Sequence, residues 1–151
     1  MAVVSLTGKD TISINGTILN DLADGDCAII TFPNDLSVLK TGKNGNTLYA
    51  FNYTGRQCQL VLRVIRGSAN DKFLNQLMSV YKQNPSGFTL LTGVMVKNVG
   101  DGAGNVTSDT YTLSGGTFKK ETEVKENADG DIEQSVAVYT LTFSNAPRAI
   151  G

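Results

Sequence analysis

Two spacings in this chain could hold a ligand. Gly100, Gly102 and Gly104, interleaved with Asp101 and Ala103 and followed by Asn105, have the glycine density of a phosphate-cradling loop. Asn127, Asp129 and Asp131 alternate as the first oxygen ligands of a calcium loop do. Neither pattern runs to completion. The glycines lack the GxGxxG spacing and the Gly-Lys-Ser/Thr ending, and no helix signal follows them. The calcium pattern needs Gly at its sixth position and Glu at its twelfth, where this chain has Ile132 and Val138. Both segments read as polar turns between strands. The chain contains no histidine, which removes every triad and base mechanism built on imidazole. Serine–lysine and paired-carboxylate schemes need no imidazole, but the residues give neither any support. Cys27 and Cys58 lie far apart, each within an apolar run (CAIITF and CQLVLRVI), as expected of small buried hydrophobes in a reducing compartment. The expectation is a protein with no enzymatic activity, no cofactor and no metal.

What remains is a pattern of surfaces, and the elements that carry it are mostly strands. Residues 11–14 alternate as T-I-S-I, Asn15-Gly16 is a hairpin signal, and 17–22 would return. Asp24-Gly25-Asp26 turns into an apolar strand over 27–32, ended by Pro33. Residues 34–47 predict a projecting hairpin with its tip at Lys43–Asn46, and 47–53 reads as a further strand. A long strand over 57–66 has two unequal faces. Cys58, Leu60, Leu62 and Val64 form one, and Gln59, Val61, Arg63 and Ile65 the other. A face wetted by solvent should be polar, so this mixed second face predicts partial cover by another element. Arg63 there needs a carboxylate, with Glu121, Glu123 and Glu133 as candidates.

One helix is predicted over about residues 69–83. Ser68, Asn70 or Asp71 can cap it, and Asn84-Pro85-Ser86-Gly87 stops it. Phe73, Leu74, Leu77, Met78 and Tyr81 make one apolar stripe, which predicts docking on the protein's own sheet. Strands over 88–97, 107–114, 117–125 and 135–143 follow. The fold class is mainly β, a β-sandwich or barrel with one flanking α-helix, in a single domain over 1–151.

Composition narrows the partners. The 13 basic and 14 acidic residues give a net charge of −1, with no cationic surplus for tight binding of nucleic acid or an anionic membrane. The same balance removes the repulsion that keeps copies apart. The opening MAVVSLTGKD has neither a basic region nor a long apolar core, and no stretch is long enough to span a membrane. The reading is therefore a cytoplasmic chain with no membrane partner. Asn15, Asn52 and Asn105 begin N-x-Thr triplets that have no consequence in that compartment.

Four segments together give the chain a family likeness. They are Gly42-Lys43-Asn44-Gly45-Asn46-Thr47, Arg66-Gly67-Ser68-Ala69-Asn70-Asp71-Lys72-Phe73-Leu74, Gly100-Asp101-Gly102-Ala103-Gly104-Asn105 and Gln134-Ser135-Val136-Ala137-Val138-Tyr139. Through their order the chain resembles phage tail tube proteins over nearly its whole length, with a leaning towards contractile tails. The resemblance implies a tail-tube-like fold whose copies form stacked, hexameric rings around a channel for DNA ejection. It implies partners in the chain itself, in sheath, baseplate and tail-terminator proteins, and in genomic DNA that passes without sequence-specific binding. It places the protein in the virion tail after assembly in the host cytoplasm. Tubes of phage-like bacteriocins and of type VI secretion would share the fold. A ligand-binding β-sandwich is disfavoured because exposed aromatics are expected there and Trp is absent. On this reading Leu36, Val38, Leu39, Lys43, Asn44 and Asn46 of the hairpin, and Val61, Arg63 and Ile65 of the long strand, meet neighbouring subunits or rings.

Overall fold

The computed structural model describes residues 3–6, 8 and 10–151. In chain order the strands are β1 (Ser5–Leu6), β2 (Thr11–Ile14), β3 (Thr17–Ile18), β4 (Ala28–Thr31), β5 (Ser37–Thr41), β6 (Thr47–Phe51) and β7 (Cys58–Ile65). The helix α1 (Ala69–Gln83) follows, then β8 (Leu91–Gly100), β9 (Val106–Phe118), β10 (Glu123–Val124), β11 (Val136–Asn145) and β12 (Arg148–Ile150). Ten strands form one antiparallel sheet with the main order β3-β2-β8-β9-β11-β7-β4, and β5 and β6 form a second sheet of their own.

Local chemistry explains the clear elements. Asn15 and Gly16 both have positive φ, +50° and +80°, the conformation of the tight hairpin turn that joins β2 to β3. Ser68 caps α1 by accepting from the Asp71 amide at 3.2 Å. Leu74 and Met78 of α1 are buried, while Lys72, Gln76 and Lys82 face solvent. The stripe packs against the protein's own sheet, as expected. Beneath it lie Leu60, Leu62 and Val64 of β7, Tyr139, Leu141 and Phe143 of β11, and Leu113 and Phe118 of β9. The Tyr139 hydroxyl donates to the Asp71 carboxylate at 2.6 Å, which ties the first turn of α1 to β11. Burial and this carboxylate both push the phenol pKa upward. Burial likewise raises the Cys58 thiol to about 11, and both cysteines are free.

The sheet curls without closing. Residues of β2 and β8 (Ile12, Met95, Val96) face Ala28 of β4 across one cleft of about 480 Å³, although those strands lie far apart in the sheet order. No pairing joins β4 to β2 or β3 among the described residues. The closed barrel, one arm of the expected sandwich-or-barrel, is therefore not formed. The strands at the two ends of the order are too short to close it, with two residues in β3 and four in β4. The segment between them bridges the gap instead. The Leu19 amide donates to the Ile12 carbonyl, and Leu22 forms a bridge with Val64. The buried Asn70 side chain clamps this segment, its oxygen accepting from the Asn20 and Asp21 amides, both at 2.7 Å.

The strands expected over 107–114 and 117–125 are also corrected. Ser114-Gly115-Gly116 is not a turn but an irregularity inside the single strand β9, where the register against β8 slips between Leu91/Gly116 and Gly93/Leu113. Gly115 has φ +65°, and a Cβ on Gly116 would stand 2.3 Å from the Phe143 ring. Glycine is present at 116 because an aromatic occupies the space a side chain needs.

Candidate functional site

The most unusual region is the arm formed by β5 and β6. Every residue from 31 to 51 is exposed. Its register pairs Val38 with Ala50, Leu39 with Tyr49, Lys40 with Leu48 and Ser37 with Phe51. Directly opposed residues share a face, so Leu39, Tyr49 and Phe51 lie on one side and Val38, Ala50 and Leu48 on the other. An isolated two-stranded ribbon is marginal in water, and this one is apolar on both faces. Leu48 is 69% exposed and Tyr49 82%.

The arm is firmly rooted. The Asn52 amide donates to the Leu36 carbonyl at 2.8 Å, and the Asn34 side chain donates to the Thr54 carbonyl and the Gln57 side chain. Gly55 lies against the other leg of the arm, where a Cβ would stand 2.6 Å from Leu36 Cα. Phe51 and Tyr53 meet edge to face at 5.1 Å, with the Arg56 guanidinium 5.4 Å and 5.1 Å from their centroids. At the tip, the Gly42 amide donates to the Asn46 carbonyl at 2.7 Å and Gly45 takes φ +84°. Lys43, Asn44 and Asn46 stand in that turn.

The second region is the outer face of β7. Val61 sits between Ile29 of β4 and Thr140 of β11. Arg63 is satisfied within the chain. It donates to Glu133 at 2.6 Å and to the Asp24 carbonyl at 3.3 Å. Of the three carboxylates considered for it, Glu133 is the partner, whereas Glu121 pairs with Lys82. Ile65 pairs with Val136 and stays half exposed beside Ile132, which is 71% exposed.

The structure thus brings Leu36, Val38, Leu39, Lys43, Asn44 and Asn46 together on the arm. It places Val61, Arg63 and Ile65 apart from them, along β7. It adds Leu48, Tyr49, Phe51, Tyr53 and Arg56 to the first group, and Ile132 to the second. The expected hairpin over 34–47 is half of the arm, and its second strand runs on to Phe51.

The ligand-like spacings resolve into turns. The Asp101 carboxylate accepts from the amides of Ala103 and Asn105 and from the Asn105 side chain, closing the β8–β9 hairpin. Those bonds hold its pKa below the usual carboxylate range, the Asn105 side chain contributing most. Asn127 accepts from the Asp129 amide in the same manner. Two Ser-x-x-Lys spacings escaped the sequence reading, Ser37/Lys40 and Ser79/Lys82. The first pair points to opposite faces of β5. In the second, Ser79 donates to the Asn75 carbonyl and Lys82 pairs with Glu121. Neither pair is arranged as nucleophile and base. Among the described residues, no group of three or more His, Cys, Asp or Glu could hold a metal ion, and no helix is long and apolar enough to cross a membrane.

No protein-family model matches this chain, and no curated protein matches it either.

Proposed function

We propose that this chain is a structural protein that works by polymerising, as a subunit of a tube of the phage-tail type with a channel for DNA. The observation that carries the reading is the arm. A rooted two-stranded sheet with Leu39, Tyr49 and Phe51 on one face and Val38 and Leu48 on the other has no core of its own. Burying a large apolar side chain contributes about 1.5–3 kcal/mol. An arm with this many such side chains in water favours contact with other chains over isolation. The balanced charge lets identical copies approach. Val61 and Ile65 on the outer face of β7 extend the apolar surface available to neighbours. The family likeness supplies the remaining details, namely hexameric rings, a contractile tail and contacts with sheath, baseplate and terminator proteins.

Electron microscopy of the purified chain over a concentration series tests the reading. Rings or tubes are the expected result. A sedimentation profile that stays monomeric at high concentration would overturn it.

A further inference from the structure

The arm and one patch of the body are complementary in both charge and apolar character. From Leu36 to Asn70 the sequence contains no acidic residue, and the arm carries Lys40 and Lys43 near its tip. Both are exposed, and neither forms an ion pair among the described residues. The patch lies at the other end of β7. There Leu22, Ile65, Ile132 and Val136 line a shallow cavity of about 280 Å³ with Asp24. The cations close to this patch are already engaged, Arg63 by Glu133, Arg66 by Glu126 and Lys125 by Asp131. The carboxylates of Asp24 and Asp26 are exposed and form no ion pair among the described residues, Arg63 reaching only the Asp24 carbonyl. A surplus of negative charge therefore surrounds exposed isoleucines at one end of the strand. A surplus of positive charge accompanies exposed Leu48 and Tyr49 at the other.

Resting on the polymerisation proposed above, we infer that the arm of one copy docks on the Asp24–Ile65–Ile132 patch of a second copy. Lys40 and Lys43 then meet Asp24 and Asp26, while Val38 and Leu48, on the same face of the arm as Lys40, cover Ile65 and Ile132. The arm is rooted just before Cys58 and the patch surrounds Ile65, so β7 separates them by about 23 Å at about 3.3 Å per residue. Made head-to-tail, this contact between unlike surfaces leaves each added copy with a free arm or a free patch and so propagates, whereas reciprocal exchange of arms between two copies would stop at a dimer. The acceptor loop is held in place by the Asn70 clamp and by the Ala23 amide, which donates to the Arg63 carbonyl at 2.8 Å.

Charge reversal on the full chain tests the contact. Lys40→Glu with Lys43→Glu reverses the arm, and Asp24→Lys with Asp26→Lys reverses the patch. Light scattering gives the concentration at which assembly starts, and circular dichroism melting confirms that each variant is folded. Each reversal is expected to raise that concentration about tenfold or more. The chain carrying all four substitutions is expected to return to within about threefold of wild type, with the arm now acidic and the patch basic. The neutral set, Lys40→Gln, Lys43→Gln, Asp24→Asn and Asp26→Asn, repeats the test with smaller rises should a reversal fail to fold. A patch reversal that assembles like wild type, or a fourfold variant that is folded yet fails to recover, overturns this contact and leaves polymerisation standing. A wild-type chain that never assembles overturns both.

Discussion

The body and the arm use the same residue types under opposite conditions. In the body, Leu60, Leu62, Leu74 and Leu141 are fully buried between sheet and helix. In the arm, Leu36, Leu39 and Leu48 are more than half exposed, although β5 and β6 pair as regularly as any strands in the sheet. Hydrogen-bonded pairing is thus independent of burial here. The body shows what apolar side chains do when a second layer is present within the chain. The arm shows what is left when the layer has to come from outside, its root held by the Asn34 and Asn52 hydrogen bonds and by Gly55 against Leu36.

Substitutions can break that contrast or sharpen it. The largest effect is expected from Leu74→Asp, which places an unpaired charge beneath α1 and should cost about 3–5 kcal/mol of stability. Denaturant unfolding measures it, and a wild-type midpoint would mean that the helix is not part of the core. Gly116→Ala comes next. The added methyl meets the Phe143 ring, and overpacking of that kind costs about 1–3 kcal/mol. Paired substitution of Leu48 and Tyr49 by Ser should leave the unfolding free energy within about 0.5 kcal/mol of wild type, as for other exposed positions. The same pair should abolish assembly. A large loss of stability would place the arm in the body's core and erase the comparison.

The smallest effect concerns acid. The hydrogen bond from Lys97 is the main cause that holds the Asp10 carboxyl below its ordinary value of 3.8. A lowered folded-state pKa contributes stability that is complete above the ordinary value and is lost as pH falls through the folded one. The melting difference between wild type and Asp10→Asn should therefore be constant at neutral pH and vanish in strong acid. A difference that grows as pH falls would contradict the pairing.

Much of the body was legible because local rules and tertiary packing agree there. Ser68 and the Phe73–Tyr81 stripe give α1, Asn15-Gly16 gives the first hairpin, and the alternation from Cys58 to Ile65 gives the two faces of β7. The Arg63–Glu133 pair was approachable by a single question, namely which carboxylate could satisfy a cation on a half-covered face. The bulge in β9 was not legible, because Ser-Gly-Gly is equally good turn chemistry and only the Phe143 ring decides the matter. The open side of the sheet was hidden for a related reason, since strand patterns do not reveal which edges meet. Leu48 and Tyr49 were missed at the candidate site because β6 has the composition of an ordinary core strand. Periodicity reports a strand's shape and says nothing of whether a partner layer covers it.

The position of the arm's root has a mechanical consequence. Its two legs enter β4 and β7, adjacent antiparallel strands, and β7 lies in register with β11 over eight residues, from Val136↔Ile65 to Phe143↔Cys58. Antiparallel ladder bonds run perpendicular to the strands. Tension applied to the arm along β7 therefore loads all the rungs of that ladder in shear at once, instead of unzipping them one after another. The attachment is strongest along the strand axis and weakest to a sideways pull, which would peel the four-residue β4 first.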